Sequence, residues 1–323
     1  LTLVDINPKA PCRPLADCFV QASIHDTEAC RKTLERLVTD ATRLVTFATG
    51  PAGRTCVELC HLFGLPARSQ RLADATLDKR SLRCVLERAG LPFVRGHMIQ
   101  GGDVEAALKK ATFPSVLKPA RGGGGIGVDR LQTRDEAMAR IGSLDLRLPY
   151  VLQPWIAGVE RAIAVVVQAR QPVALLQGEN ILEASTGWPW PIGQALERRV
   201  PTDPAPAWHE IVPRLIEAFE LVDDFLLVEL ISNDDGDYVI DVEMNALGPF
   251  ACSEVMDDGN LIRMLVDTYL GEAVRAPERA CWTAGLAFVA SPEERRVAAL
   301  RGVELDTAEF RFDGTETWAR LEC

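Results

Sequence analysis

The hydrophobic pattern is sharpest late in the chain. Leu226-Leu-Val-Glu-Leu-Ile231 and Tyr238-Val-Ile-Asp-Val-Glu-Met-Asn245 read as two buried β-strands joined by the turn Asn233-Asp-Asp-Gly236. At the other end, Leu1 to Ile6 reads as a strand stopped by Asn7-Pro8. Arg43 to Ala48 reads as a second strand that runs into the tight turn Thr49-Gly-Pro-Ala-Gly53. Helical spacing covers Thr27 to Asp40, with apolar residues at 30, 34, 37 and 38, and the stretch after the turn as far as Phe63, where Gly64 stops it. Strand, helix, strand, helix predicts a parallel sheet with crossover helices.

In the middle of the chain, Leu82, Val85, Leu86 and Ala89 share one face of a helix from Asp78 to Ala89, capped by Gly90. Pro92 to Ile99 is extended, Asp103 caps a helix to about Thr112, and Pro114 to Pro119 is a strand. A glycine-rich segment follows, then a strand from Val128 to Leu131, a helix from Asp135 to Ile141 and a strand from Tyr150 to Ile156. Residues 161–168 and 172–177 read as an antiparallel pair, and Glu179 to Arg199 as an irregular, tryptophan-bearing stretch. Trp208 to Glu220 and Asn260 to Leu270 are helical, the latter capped by Gly271. The fold class is α/β (α+β).

Composition narrows the function classes. A chain of 323 residues can hold two or three subdomains with their own cores. A net charge of −11 argues against a general binder of nucleic acid or anionic membrane, because no basic field draws in polyanions. Nine cysteines (12, 18, 30, 56, 60, 84, 252, 281, 323) are an odd number with no CxxC pair, which suits free thiols in a reducing cytoplasm better than a disulfide framework or zinc site. Cys56 and Cys60 share a helical face and read as core. The histidines at 25, 61, 97 and 209 are dispersed, with no metal-ligand spacing. No apolar run approaches the roughly 18 to 20 residues of a membrane span. No signal peptide is expected. The chain begins at Leu1, not Met, so a trimmed first strand or glycine-rich turn is expected.

Several residues carry candidate chemistry. A carboxylate in a buried strand is costly unless something pairs with it. Glu229, Glu243 and the amide of Asn245 on adjacent strands are the donor set a magnesium ion holding nucleotide phosphates needs. Gly122, Gly123, Gly124, Gly125 and Gly127 allow backbone N–H groups to approach phosphate oxygens. The segment lacks the GKS or GKT ending of a P-loop. A strand follows it where a Rossmann fingerprint needs a helix. It fits a flap over a nucleotide, or a flexible hairpin turn. Lys118 lies in an apolar strand, where an ammonium aimed at α- or β-phosphate oxygens would explain it. The alternative is a lysine facing solvent. Lys79, at a helix start, is less specific. The extended segment Gln153-Pro154-Trp155-Ile156 offers backbone groups to an adenine edge, and Glu160 offers a carboxylate to ribose hydroxyls. Taken alone, an edge strand and a surface acid explain these residues better.

In this order and spacing, Asp78-Lys79, Val116-Leu-Lys-Pro119, the glycine loop, the 153–156 segment with Glu160, and Glu229 with Glu243 and Asn245 resemble the ATP-grasp family across nearly the whole chain. Within it the chain looks most like carboxylate–amine ligases of the L-amino-acid ligase kind. The resemblance implies an opening domain over residues 1–75, an ATP-grasp part with the glycine-loop lid over 76–157, and an ATP-grasp part with the metal site over 158–323. It implies that Lys79 and Lys118 contact ATP phosphates and that Gly122 to Gly127 close over them. Residues 153–156 hold adenine, Glu160 holds ribose, and Glu229, Glu243 and Asn245 ligate Mg²⁺, with Mn²⁺ as the alternative metal. Lys118, Glu243 and Asn245 are the implied catalytic residues. The implied partners are a small carboxylate and an amine, amino acids among them, with no nucleic acid and no membrane, in a cytoplasmic homodimer. The carboxylate attacks the γ-phosphate to give an acyl phosphate and ADP, and the amine then expels phosphate. The other readings are a carboxylase or carbamoyl-type enzyme using bicarbonate, and an ATP-binding protein without catalysis. One departure stands out. Leu247 occupies a position where many relatives carry arginine, so either another cation substitutes, with Arg161, Arg198 and Arg199 as candidates, or the acceptor chemistry differs; Gly187-Trp-Pro-Trp190 is a candidate acceptor-pocket wall or a self-packed loop.

Overall fold

The structure is a computed structural model and describes residues 1–46, 50–101, 104–122, 126–182, 191–199, 208–244, 261–274, 283–289, 310–312 and 316–322. Its strands, in chain order, are β1 (Thr2–Asp5), β2 (Cys18–Gln21), β3 (His97–Ile99), β4 (Ser115–Pro119), β5 (Asp129–Leu131), β6 (Tyr150–Pro154), β7 (Val159–Gln168), β8 (Gln171–Leu182), β9 (Pro191–Arg199), β10 (Asp224–Asn233), β11 (Gly236–Glu243), β12 (Thr283–Val289), β13 (Phe310–Phe312) and β14 (Glu316–Glu322). The helices are α1 (Thr27–Leu34), α2 (Pro51–Phe63), α3 (Gln70–Leu77), α4 (Lys79–Arg88), α5 (Val104–Lys110), α6 (Arg134–Gly142), α7 (Trp208–Ala218) and α8 (Leu261–Leu270). Among the described residues, no helix is long and apolar enough to cross a membrane.

Three sheets organise these elements. β1 and β2 pair in parallel, with Val4 and Val20 packed against Leu34 of α1 and Leu59 of α2. The parallel sheet is as expected, but its second strand is Cys18–Gln21. Residues 43–46 form no strand, and 47–48 lie outside the described residues. The apolar Leu44 instead packs beside α2, where the Cys56 thiol donates to its carbonyl at 3.6 Å. The helix expected to reach Asp40 ends at Leu34.

The second sheet has the order β3-β6-β4-β5 and is antiparallel throughout. One face is covered by α5 and α6, through Leu108 and Ile141 against Leu117, Leu131 and Leu152. The third sheet has eight strands in the order β11-β10-β7-β8-β9-β12-β14-β13. Its main core lies where Ile163, Val165, Leu226, Val228 and Leu230 meet α3, α4 and α7 through Leu72, Leu86 and Leu215, with Phe219 just after α7. Much of the stretch expected to be irregular, 179–199, is strand: β8 runs to Leu182 and β9 spans Pro191–Arg199. The ladders with β7 and β12 build this hairpin. Strand formation driven by neighbours leaves little trace in local hydrophobicity. The segment 187–190 lies outside the described residues.

The chain passes from the second sheet to the third through residues 155–158. Asn233 Nδ2 donates to the Ala157 carbonyl at 3.0 Å. Gly158 runs so close to β10 that a Cβ there would stand 2.6 Å from the Ser232 carbonyl oxygen, so only glycine fits. The link between the two sheets is therefore fastened to β10, the strand that carries Glu229.

Candidate functional site

Strand register decides which acids meet. Along β10 the alternation places Leu226, Val228 and Leu230 on the α7-covered core and Leu227, Glu229 and Ile231 on the opposite face. Glu229 pairs with Asp241 of β11, and Leu227 pairs with Glu243. Ile231 pairs with Glu160 of β7. Four carboxylates, Glu160, Glu229, Asp241 and Glu243, thus share one face as direct or diagonal neighbours. A β-bulge at Ile240 makes this possible. It lets Val239 and Val242, three residues apart, both enter the core while Asp241 and Glu243 stay on the acid face.

Two lysines face these acids. Asp78 caps α4 by accepting from Arg80 N at 2.9 Å, and Lys79 N donates to the Ala120 carbonyl at 2.8 Å. These contacts place Lys79 beside the base of the glycine segment. Arg121 Nε, the first residue of that segment, donates to Asp78 at 3.0 Å. Burial works against the Asp78 charge, but the two arginines hold its pKa at about 2. Lys79 Nζ reaches Asp241 Oδ2 at 2.5 Å. Lys118 pairs with Val151 on β6 and Val116 with Gln153, opposite to the Leu117–Leu152 core face, so Lys118 and Gln153 look out of the second sheet toward the third. A cleft at this junction is lined by Lys79, Leu82, Arg83 and Leu86 of α4, by Phe93, Val94, Gly96 and Met98, and by Lys118, Val151, Gln153, Val239 and Ile240.

Electrostatics marks the site as incomplete. Burial pulls Lys118 down to about 8, helped by Lys79 and opposed by Asp241, Glu229 and Glu160. Burial likewise opposes the charge of Lys79, yet Asp241, with Glu229 and Glu243 near it, keeps its pKa above the ordinary lysine value. Burial pushes Glu229 up to about 7, and Asp241 and Glu160 push further than the lysines pull back. Glu243 is pushed to about 8 by burial and then by Asp241 and Glu229. Burial also raises Glu160, whose carboxylate accepts from Asn180 Nδ2 at 3.4 Å. Neither the Lys118 nor the Glu229 side chain makes a hydrogen bond or ion pair with a described residue, and such groups call for an anion and a cation respectively. Nucleotide phosphates and a divalent metal fit that demand. Among the described residues no three His, Cys, Asp or Glu side chains form a metal cage. Two carboxylates suffice for Mg²⁺ when phosphates and waters complete the shell.

The sequence-predicted residues Lys79, Lys118, Gln153, Glu160, Glu229 and Glu243 converge here. The 153–156 segment differs in detail from expectation. Pro154 has no N–H, and Trp155 N donates to the Pro114 carbonyl at 2.9 Å, so within 154–156 only the Ile156 N–H is left without a described partner. The Trp155 ring lies under Arg130, 4.2 Å from guanidinium carbon to ring centroid. Gly122 and Gly127 adopt φ of 127° and 75°, in the region that favours glycine. Gly123, Gly124, Gly125, Asn245 and Leu247 lie outside the described residues, and so do the side chains of Arg198 and Arg199. Arg161 pairs opposite Leu230, on the face turned away from the acids, so it is not the missing cation. Asp241 was not expected. The signal for it was present, since it stands two residues before Glu243 on one strand face.

A stretch of 83 residues is 36% identical to D-alanine–D-alanine ligase of Streptococcus thermophilus (strain CNRZ 1066), covering 24% of this chain and 23% of that protein. The chain thus spans less than a quarter of the length of the curated relatives it matches. The ADP complex of an N5-carboxyaminoimidazole ribonucleotide synthetase superposes with a TM-score of 0.74 at 18% identity, over 100% of this chain and 85% of that one. The L-amino acid ligase from Bacillus licheniformis superposes with a TM-score of 0.73 at 17% identity, over 99% and 86%. At those identities the likeness is one of fold. The ATP-grasp domain family matches residues 77–247, more than half of the chain and the span from Lys79 through Glu243, and the chain belongs to that family.

Proposed function

We propose that this protein is an ATP-dependent, ADP-forming ligase that activates a small-molecule carboxylate as an acyl phosphate for attack by an amine, forming an amide or peptide bond. The observation that carries the reading is the pairing of two half-buried lysines with an acid face across the junction of two sheets, where Lys118 and Glu229 have no partner of their own.

In this reading Lys79 and Lys118 hold phosphate oxygens, and Gln153 and the Ile156 N–H meet the base. Glu160 takes the ribose hydroxyls. Glu229 and Glu243, with Asn245, hold Mg²⁺ or Mn²⁺. When bound, the metal offsets the charge that develops as the γ-phosphoryl moves. The protein's own share is to position the carboxylate in line and to stabilise charge, so no Ser or Cys nucleophile is needed. The glycine segment, anchored at its base by Ala120 and Arg121, closes over the phosphates and shields the acyl phosphate from water.

The test is ADP release by the purified protein with Mg²⁺-ATP across a panel of amino acids. Amine-dependent ADP release with a matching product mass is the expected result. Absence of such release across the panel defeats the ligase reading. Release that depends on bicarbonate supports the carboxylase alternative, and ATP binding without turnover supports a non-catalytic role.

A further inference from the structure

Asp241, on the acid face, is ion-paired with Lys79 across the junction of the two sheets. We propose that Asp241 is a positioning residue for nucleotide binding: it holds the Lys79 ammonium at the wall of the cleft. This rests on the reading of the cleft as an ATP site.

Lys79 is fixed at both ends. Its backbone is set by the Asp78 cap and by the bond to the Ala120 carbonyl. Its ammonium is set by Asp241 Oδ2 at 2.5 Å, a contact across 162 residues of sequence that ties the start of α4 to β11. The other Asp241 oxygen accepts from Val242 N at 3.1 Å, so the carboxylate is itself oriented. Lys79 lines the cleft, whereas Asp241 stands beyond it on the acid face. One of the three ammonium donors therefore goes to Asp241 and the others stay available. Lysine carries a long flexible stem, and a charge placed in advance loses less freedom when the ligand arrives.

Placing Asp241 there has a drawback that a merely structural residue would avoid. It stands directly opposite Glu229 in register, and like charges in that position destabilise a sheet. An apolar residue would serve the ladder better. The acid makes sense as the counter-ion of Lys79, and it leaves Lys118 as the uncompensated cation of the cleft.

The experiment is calorimetric binding of Mg²⁺-ATP and Mg²⁺-ADP to the full chain and to Asp241→Asn, Asp241→Glu, Lys79→Met and the Lys79→Met/Asp241→Asn double variant. Asp241→Asn is near-isosteric, and its unfolding transition should match that of the parent. Loss of one positioned charge-assisted contact should weaken nucleotide binding about tenfold, with Asp241→Glu restoring most of it. Because Asp241 acts through Lys79, Asp241→Asn should add no further loss in the Lys79→Met background. Binding by Asp241→Asn that equals or exceeds the parent's overturns the proposal, as do independent, multiplying losses in the double variant. If the parent itself shows no Mg²⁺-dependent nucleotide binding, the ATP reading fails and this inference fails with it. That pattern is distinct from a parent that binds and a variant that does not care.

Discussion

Asp224 and Glu229 lie on the same strand, β10, the first buried and the second half-buried, yet their surroundings differ completely. Asp224 accepts Arg68 Nε at 2.6 Å, Ser69 N at 3.1 Å and Phe225 N at 2.7 Å. Arg68 also donates to the Phe225 carbonyl at 3.2 Å and lies over the Tyr269 ring. This acid welds the segment between α2 and α3 to the third sheet. Glu229 has no such partner, faces Asp241 across the ladder, and is pushed to about 7. A protein that needed only stability would treat both acids as it treats Asp224. The difference teaches that burial with satisfaction marks a structural acid, and burial without it marks a place kept for a ligand.

The comparison can be broken by mutation. The largest effect should come from Arg68→Met, which strands Asp224 as a buried charge and should cost about 3–5 kcal/mol of stability in denaturant unfolding. A loss below about 1 kcal/mol would mean that Asp224 is not held as described. Glu229→Gln and Glu243→Gln should do the reverse. Each should keep or slightly raise stability at neutral pH while lowering Mg²⁺-dependent nucleotide affinity or turnover about a hundredfold or more. Unchanged activity in Glu243→Gln would remove it from the proposed metal site. Lys118→Met should weaken ATP binding about ten- to thirtyfold with no loss of melting temperature, since it removes an unpaired cation and the phosphate contact proposed for it. A clear drop in melting temperature would show that Lys118 has a structural partner.

The smallest effect is a pH dependence. Glu229 and Glu243 titrate near 7 and 8 when folded, against 4.5 ordinarily, so the folded protein holds protons that the unfolded chain has released. Their contribution to stability is therefore complete below about pH 4.5 and is lost as pH rises through 7 to 8. The melting temperature of the metal-free protein should fall by a few degrees between pH 5.5 and 8. The double Gln variant should flatten that slope, and an unchanged slope would assign it to other groups. Arg68→Met should leave the slope in place, because Arg68 and Asp224 lie outside the acid cluster.

Much of the site was legible because it is written in short-range patterns. Lys79 follows a capping Asp78 at a helix start, Lys118 sits in an apolar strand, and Glu229 and Glu243 interrupt buried alternations. What escaped was whatever depends on a distant partner. The strand Cys18–Gln21 is four residues long and is a strand only because β1 lies beside it. β12, β13 and β14 likewise exist through their ladders with β9 and with each other. Arg161 looked like an available cation until register turned it to the other face.

By itself, the sequence determined the order of elements through the core strands, the acids and lysines of the site, and their resemblance to the ATP-grasp family. Side-chain periodicity and caps act over a few residues, so they survive in the linear text. Only the tertiary structure decided that Asp241 joins those acids and takes Lys79, that Ile156 holds the remaining backbone donor, and that Asp224 is spent on Arg68 while Glu229 is not. Those outcomes depend on register, a bulge at Ile240 and contacts across more than 150 residues, where a shift of one position exchanges the faces of a strand.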